Sequence, residues 1–397
     1  MAGNLRTLEQ VLKIATDAKL DPSDLAPVAQ TLYFAGDLNP SRMKIMECDQ
    51  SLLQYLQEGS TLTIRGDKSD TAVACTSDKT FELKAAETSN TLLLVPDCKT
   101  TKEFEDNSEP LSQKEVIGLA HEYFELRPCR PKLKRLKQLL EENRYDGPLY
   151  EDDDSHQGKK YTFTELLESV QASEGEIRDK LVKLQACNIN GYWRLLSNDF
   201  DSSVLAQIIQ LIDENSWTTD HVPTKETLDT LENLYPRNIL QHCLDCYGDK
   251  KSMETDSGEE IVYSLSEDKV CRAFAEMLLK PAGKFNLSEF LESWQQSVPE
   301  GMKTTLYQLE GLALIDRTSR PEVIWHFPVI ELPEEEVLRF DTLFQVRSKW
   351  TLDEIRPYIQ DLVGGKSSVT ALLQKYARSS TNKDGIKIYN AKRPART

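Results

Sequence analysis

The chain has 397 residues, 39% of them hydrophobic and 28% charged, and its formal net charge is −17. That length accommodates two to four domains at ~100–200 residues each. No run approaches the ~18 apolar residues of a membrane span, and the N-terminal MAGNLRTLEQ has no cationic, apolar leader, so an intracellular protein with no membrane partner is expected. Eight scattered cysteines suit reduced thiols better than a disulfide framework.

Residues 1–108 read as mainly β. Thr61 to Arg65 alternates with Leu62 and Ile64 on one face, and Thr80 to Lys84 does the same with Phe81 and Leu83. Gly66 to Asp70 and Ser77 to Lys79 are polar turns between these runs. Thr91 to Val95, which contains Leu92 and Leu94, lacks alternation and is expected to be buried on both faces or paired into a partner. Asp49 suits the cap of a short helix carrying Leu52, Leu53 and Leu56. So few strands make only a partial β-barrel, and partner chains that donate strands would cover its open edges.

Thr100 to Gln113 is polar and acidic and is read as a linker. The basic cluster from Arg127 to Lys137 follows, with six cations and no anion in eleven residues. It fits an import signal, a nucleic-acid patch or the outer side of an amphipathic helix, since Leu133, Leu136, Leu139 and Leu140 keep helical spacing. The acidic loop Glu151 to Asp154 interrupts, a helix is expected from Phe163 to Val170, and Ser173 with Glu176 has the spacing of a capping box. Ile177, Leu181 and Leu184 form the buried stripe of that last helix, and Ile189 to Leu196 is the expected wing, with its turn near Asn188 to Gly191. Residues 109–197 thus read as a first winged helix.

A second spans 198–330. Its helix Asp268 to Leu279, the capping pair Asn286 and Glu289, a recognition-type helix from Thr304 to Leu312 and wing strands Leu314 to Asp316 and Val323 to Phe327 follow one another. That recognition helix offers Gln308 and Glu310 but no cation. Residues 203–265 also run through three helices into the strand Ile261 to Leu265, as a degenerate extra copy would.

Residues 331–397 read as a C-terminal winged helix. Gly364 and Gly365 end one helix, Ser367 or Ser368 caps the next, and Val369, Leu372, Leu373 and Tyr376 share its buried face. Gln374, Lys375 and Arg378 face outward, and a strand from Ile386 to Tyr389 is entered through the hairpin turn at Asp384-Gly385. From Lys366 to Thr397 eight cations stand against one anion, a net +7 that leaves −24 on the rest of the chain. Lys366, Lys375, Arg378, Lys383, Lys387, Lys392 and Arg393 are therefore the candidate DNA-phosphate contacts.

Catalysis and metal binding find no anchor. Gly365-Lys366-Ser367 resembles a phosphate loop, but Gln360 stands where that motif needs its first glycine. Cys243 and Cys246 have chelating spacing without a second pair, and His121, His156, His221, His242 and His326 form no hydrolase motif. No enzyme activity, cofactor or metal is expected.

The runs LTIRGDKSDTAVACTSDKTFELKAAETSNTLLLVPDCKT from Leu62, ELRPCRPKLKRLKQLL from Glu125, KFNLSEFLESWQQSVPEGM from Lys284, and PYIQDLV with LLQKYARSS near the C-terminus resemble the Dcc family of sister-chromatid-cohesion proteins. These are accessory subunits of the alternative replication factor C clamp loader. The resemblance implies an α+β multidomain, non-ATPase nuclear protein that acts with the sliding clamp at replication forks. Its N-terminal partial β-barrel would be completed by the small subunit and the large ATPase subunit of that loader. Leu62, Ile64, Phe81, Leu83, Leu92 and Leu94 are its expected partner-binding residues. A tandem array of winged-helix domains, usually three, would contact single- and double-stranded DNA and dock the leading-strand DNA polymerase. The alternative is a protein-only winged-helix scaffold of a large intracellular assembly, such as a ubiquitin ligase or proteasome lid, consistent with the acidic bulk. Salt-dependent duplex binding separates the two.

Overall fold

The computed structural model describes residues 6–21, 29–39, 42–68, 70–99, 111–151, 158–255, 258–363, 368–382 and 385–392. The fold is mixed α+β and divides into two compact units, Met1–Cys129 and Arg130–Thr397.

The first unit runs α1 (Leu8–Asp17), β1 (Ala29–Phe34), β2 (Ile45–Glu47), α2 (Gln50–Gln57), β3 (Thr63–Arg65), β4 (Val73–Cys75), β5 (Thr80–Leu94), β6 (Leu111–Val116) and β7 (Gly118–Pro128). Five strands form an open half-barrel sheet in the order β2-β7-β5-β4-β3, and β1 pairs with β6 in a separate parallel ladder. The expected linker therefore ends before Leu111, because that residue begins a strand. Thr80 to Lys84 and Thr91 to Val95, expected as separate strands, are largely one: β5 continues past a break in register between Glu87 and Leu92 as it pairs with β7. β4 lies between β3 and β5, and its Val73, Ala74 and Cys75 are all buried. Asp49 caps α2 by accepting from the Leu52 amide at 2.8 Å, and the Ser77 amide donates to the Tyr55 hydroxyl at 3.0 Å, tying α2 to the turn before β5.

In the second unit the chain passes four times through the same order of helix, short strand, two helices and hairpin. The first module is α3 (Lys134–Glu141), β8 (Tyr161–Thr162), α4 (Phe163–Ser169), α5 (Glu174–Lys183), β9 (Cys187–Ile189) and β10 (Tyr192–Arg194). The second is α6 (Asn198–Glu214), β11 (Val222–Pro223), α7 (Thr224–Leu231), α8 (Arg237–Tyr247), β12 (Gly248–Thr255) and β13 (Gly258–Leu265). The third is α9 (Glu267–Ala282), β14 (Lys284–Asn286), α10 (Leu287–Ser297), a 3-10 turn (Leu306–Leu309), β15 (Ala313–Asp316) and β16 (Val323–His326). The fourth is α11 (Glu336–Val346), α12 (Leu352–Ile355) with two 3-10 turns, α13 (Val369–Tyr376), β17 (Ala377–Thr381) and β18 (Lys387–Ala391). Each of the first three sheets places its third strand in the centre, and in the fourth an isolated bridge from Trp350 to Tyr389 takes the place of the short strand. The stretch 203–265 thus repeats its neighbours' order of elements, with a long hairpin in place of a short one.

Local chemistry explains where the elements start and turn. Thr162 and Asn286 end the short strand of their modules and Thr351 follows the bridge residue Trp350, and each side chain accepts from a backbone amide of the helix it begins. Ser173 and Glu176 form the expected capping box. The expected wing is a hairpin of β9 and β10, with its turn inside the Asn188 to Gly191 span expected for it, where Asn190 and Gly191 both adopt positive φ (53° and 89°), as a two-residue turn requires. The helix expected from Thr304 to Leu312 shrinks to one 3-10 turn. Gln308 within it is buried, with its amide on Asp268 at 2.9 Å.

The modules share cores. Phe290, Trp294 and Ile324 of the third belong to the same apolar cluster as Val204, Ile239 and Leu244 of the second. Leu314 of the third lies in the core of the fourth beside Phe340, Trp350, Tyr358 and Leu373. The free edge of β15 is closed by the fourth module, since the Tyr358 hydroxyl donates to Ala313 O at 2.9 Å and Arg347 donates to Ile315 O. Buried Arg339 is satisfied by both Asp361 carboxylate oxygens (3.1 and 3.0 Å) and by Tyr358 O (2.7 Å).

The first module also meets the fourth. Arg130 donates to Glu334 O at 3.3 Å and to Asp361 O at 3.1 Å, and the Glu334 carboxylate accepts from the Lys134 amide at 3.0 Å. The N-cap Leu133 of α3 offers no side-chain acceptor, so Glu334 caps this helix from 200 residues away. Replacing both Arg130 and Glu334 by Ala is expected to speed amide exchange through Ile330–Asp361 roughly tenfold, with the second module's exchange unchanged. Mass-spectrometric exchange on the full chain measures this, and equal protection in the double variant would show the clasp to be idle.

Candidate nucleic-acid and partner interfaces

In the four modules the element immediately before the hairpin is α5, α8, the 3-10 turn and α13. α8 is packed tightly, with Ile239, Leu240, Cys243, Leu244 and Tyr247 buried and His242 Nε2 3.0 Å from Gln185 O. α5 carries Glu174 and Glu176 in its first turn, where a phosphate would approach, and burial lowers the Lys180 amine against the opposing pull of Glu334 and Asp361. α13 has no acidic residue in its first turn, and Ser368 caps it by accepting from the Ala371 amide at 3.2 Å. Leu372 and Leu373 are buried beneath it while Gln374 and Lys375 are exposed.

The structure redistributes the expected cations. α13 ends at Tyr376, so Arg378 lies not on the helix but on β17, opposite Asn390. Ser379, Ser380 and Thr381 favour the strand because their hydroxyls and branched carbons disfavour continued helix. The second strand begins at Lys387, one residue later than expected, and Gly385 before it has φ +79, consistent with a tight turn. Arg378 Nε donates to Ala391 O at 3.3 Å, and Lys392 Nζ donates to Gln374 O at 3.2 Å, capping the C-terminal end of α13. Lys387 stands 5.5 Å from the Tyr389 ring. Lys375, Arg378 and Lys392 therefore gather where α13 meets the hairpin, with Lys387 further along β18. Lys366, Lys383 and Arg393 lie outside the described residues, as does the Gly365-Lys366-Ser367 stretch.

One contact was not legible in the sequence. Lys375 Nζ lies 2.9 Å from Glu336 Oε2, the same oxygen that accepts from the Tyr376 hydroxyl at 2.7 Å. Glu336 sits in an acidic run that reads only as a solvated face. Part of the basic cluster is engaged as well: the Arg130 guanidinium donates to Glu334 O, the Lys132 ammonium donates to Gln171, and Lys137 pairs with Glu141 at 3.5 Å.

The first unit presents apolar surface instead. Ile64, expected on a buried face, is 63% exposed, because β3 is the outer strand of its sheet. Leu62 is half-buried, Phe81 is buried, Leu83 and Leu94 are half-buried, and Leu92 is exposed. The expectation that Thr91 to Val95 is buried on both faces does not hold within this chain. Leu32, Tyr33 and Phe34 of β1 are exposed too, on a two-stranded parallel ladder of a kind ordinarily covered on its faces. α1 buries no residue, although Leu8, Val11, Leu12 and Ala15 align on one side.

Among the described residues no three His, Cys, Asp or Glu side chains converge as metal ligands. Cys246 is 3.4 Å from His242 Nε2, but burial pushes its thiol up to about 12 and the Cys243 thiol well above its ordinary value, which disfavours the thiolates a metal would need.

Comparison with known proteins places this architecture. Residues 43–359 match the family described as sister chromatid cohesion protein Dcc1. The sister chromatid cohesion protein DCC1 of Xenopus laevis is 48% identical over 396 residues, spanning 99% of this chain and 100% of that protein. Its namesake in Danio rerio is 47% identical over 395 residues, with 99% and 100% covered. The protein of that name in Saccharomyces cerevisiae is 25% identical over 379 residues, with 87% and 96% covered. With this match running almost from end to end, the chain belongs to the sister chromatid cohesion protein Dcc1 family.

Proposed function

We propose that the chain is a non-catalytic nuclear subunit of an alternative clamp loader, supporting sister chromatid cohesion by positioning that loader on DNA at replication forks. In this reading the four modules are winged helices, and the last contacts DNA phosphates through Lys375, Arg378, Lys387 and Lys392. The observation that carries the DNA contact is the gathering of these cations on the terminal module, beside a helix whose first turn carries no acidic residue. An interior module then remains for docking the leading-strand polymerase.

The first unit is proposed to bind the loader's large and small subunits. Its support is the exposed apolar surface of β1, of Ile64 and of the β5 end, together with a two-stranded ladder that has no further strand on either side among the described residues. In the chain alone, amides of Ala29–Phe34 and Leu92–Leu94 are expected to exchange fast. Copurification with the partner subunits is expected to slow them by ~100-fold or more. Unaltered exchange in the complex would place the partners elsewhere.

The −24 charge outside the terminal segment favours a second reading, a protein-only scaffold. Titration of random duplex DNA with the full chain at several salt concentrations separates the two: a steep log–log slope supports the DNA reading, and no binding at low salt supports the scaffold.

A further inference from the structure

Resting on the duplex contact proposed above, we infer that Glu336 is a charge gate on that contact. Its carboxylate cancels Lys375 and holds the terminal module's non-specific DNA affinity below what its cations would otherwise reach.

The geometry is built rather than incidental. Glu336 opens α11, and its Oε2 takes both the Lys375 ammonium at 2.9 Å and the Tyr376 hydroxyl at 2.7 Å. The Tyr376 ring stacks on Phe340 at 4.9 Å, one helical turn beyond Glu336, so the hydroxyl that anchors the carboxylate is itself fixed by the core. Lys375 also lies 4.8 Å from the Tyr376 ring centroid. Burial opposes ionisation of Glu336, yet the Tyr376 hydroxyl and the Lys375 ammonium hold its carboxyl below the ordinary value. The anion is therefore present at neutral pH. Lys375 remains 63% exposed, so a phosphate can reach it, but every phosphate that does so meets the carboxylate too.

Charge bookkeeping makes this testable, because each unit of charge at a phosphate contact changes the log–log salt slope by ~0.9 and affinity by about fivefold at physiological salt. Glu336→Gln keeps an acceptor for Tyr376 and removes the charge; it is expected to bind random duplex about fivefold tighter with a slope steeper by ~0.9. Lys375→Met, on an exposed side chain, is expected to weaken binding by a similar factor and flatten the slope. The double variant is expected to return to the wild-type values. All four full-length proteins are compared by fluorescence anisotropy, with thermal unfolding as the check on folding. Binding by Glu336→Gln that is equal to or weaker than wild type, or a double variant as weak as Lys375→Met, would overturn the gate and leave Glu336 as a bracket that aims Lys375. Should Glu336→Gln melt early, unchanged affinity in Lys375→Met overturns it alone. A folded wild-type chain that shows no salt-dependent binding would sink the duplex contact itself, a result distinct from either.

Discussion

Changing Arg378 and Lys387 together to Glu is expected to cost the full chain ~100-fold or more in duplex affinity at physiological salt, with thermal unfolding unchanged. Both side chains are exposed on the terminal hairpin, and neither belongs to its core. Two reversals shift the local charge by four units, which accounts for the size of the loss if the contacts go to phosphates. For the same reason the salt slope is expected to flatten while preference among duplex sequences stays put. Fluorescence anisotropy across a salt series reads both. Unchanged binding by the folded variant would favour the scaffold reading, because much of the other basic stretch, Arg127 to Lys137, is already engaged: Arg127 holds Glu125, Arg130 holds Glu334 O, Lys132 holds Gln171 at 2.7 Å and Lys137 holds Glu141.

Leu373→Asp is expected to unfold the fourth module. Leu373 is 2% exposed in a core with Phe340, Trp350, Tyr358 and Leu372, and an unpaired carboxylate there costs at least ~4 kcal/mol. Because Leu314 of the third module lies in this core, the damage is expected to reach β15. Tryptic cleavage at Arg347 and Lys375 is then expected in the full chain under conditions where the wild type is protected. Leu373→Met, which nearly conserves volume, serves as the control and is expected to stay resistant. Resistance of the Asp variant would mean that the core is not cooperative. This shared core also predicts that a fragment beginning near residue 330 is a poor vehicle for DNA binding, since it leaves Leu314, Trp325 and Phe327 behind.

Much of the repeat was legible because its signals are local. Asp49, Ser173, Asn286 and Ser368 each cap a helix through amides two or three residues onward, and such spacing is written directly in the chain. The apolar stripes of α3, α5 and α13 follow from a 3.6-residue period. Where local signals weakened, so did the reading. Nothing between Thr304 and Leu312 distinguished a full helix from one 3-10 turn. The hydroxyl run Ser379 to Thr381 was the available sign that α13 stops before Arg378.

What the sequence by itself determined is the order of helices and hairpins, the turn residues, the concentration of positive charge at the end of the chain and the family to which it belongs. Only the tertiary structure decided which of those charges are free. Glu336 reaches the Lys375 ammonium across 39 residues, and likewise Glu334 reaches the Lys134 backbone amide across 200 and β1 finds β6 across some 80 residues of intervening chain. No periodicity encodes such meetings, because an ion pair or a strand pairing depends on where two distant backbones arrive once the apolar faces have packed. The apolar strand at Thr91 to Val95 carries the same lesson in reverse. Its composition indicates burial, but the described residues of this chain leave Leu92 and Leu93 exposed, an apolar surface that the partner contact proposed above would cover.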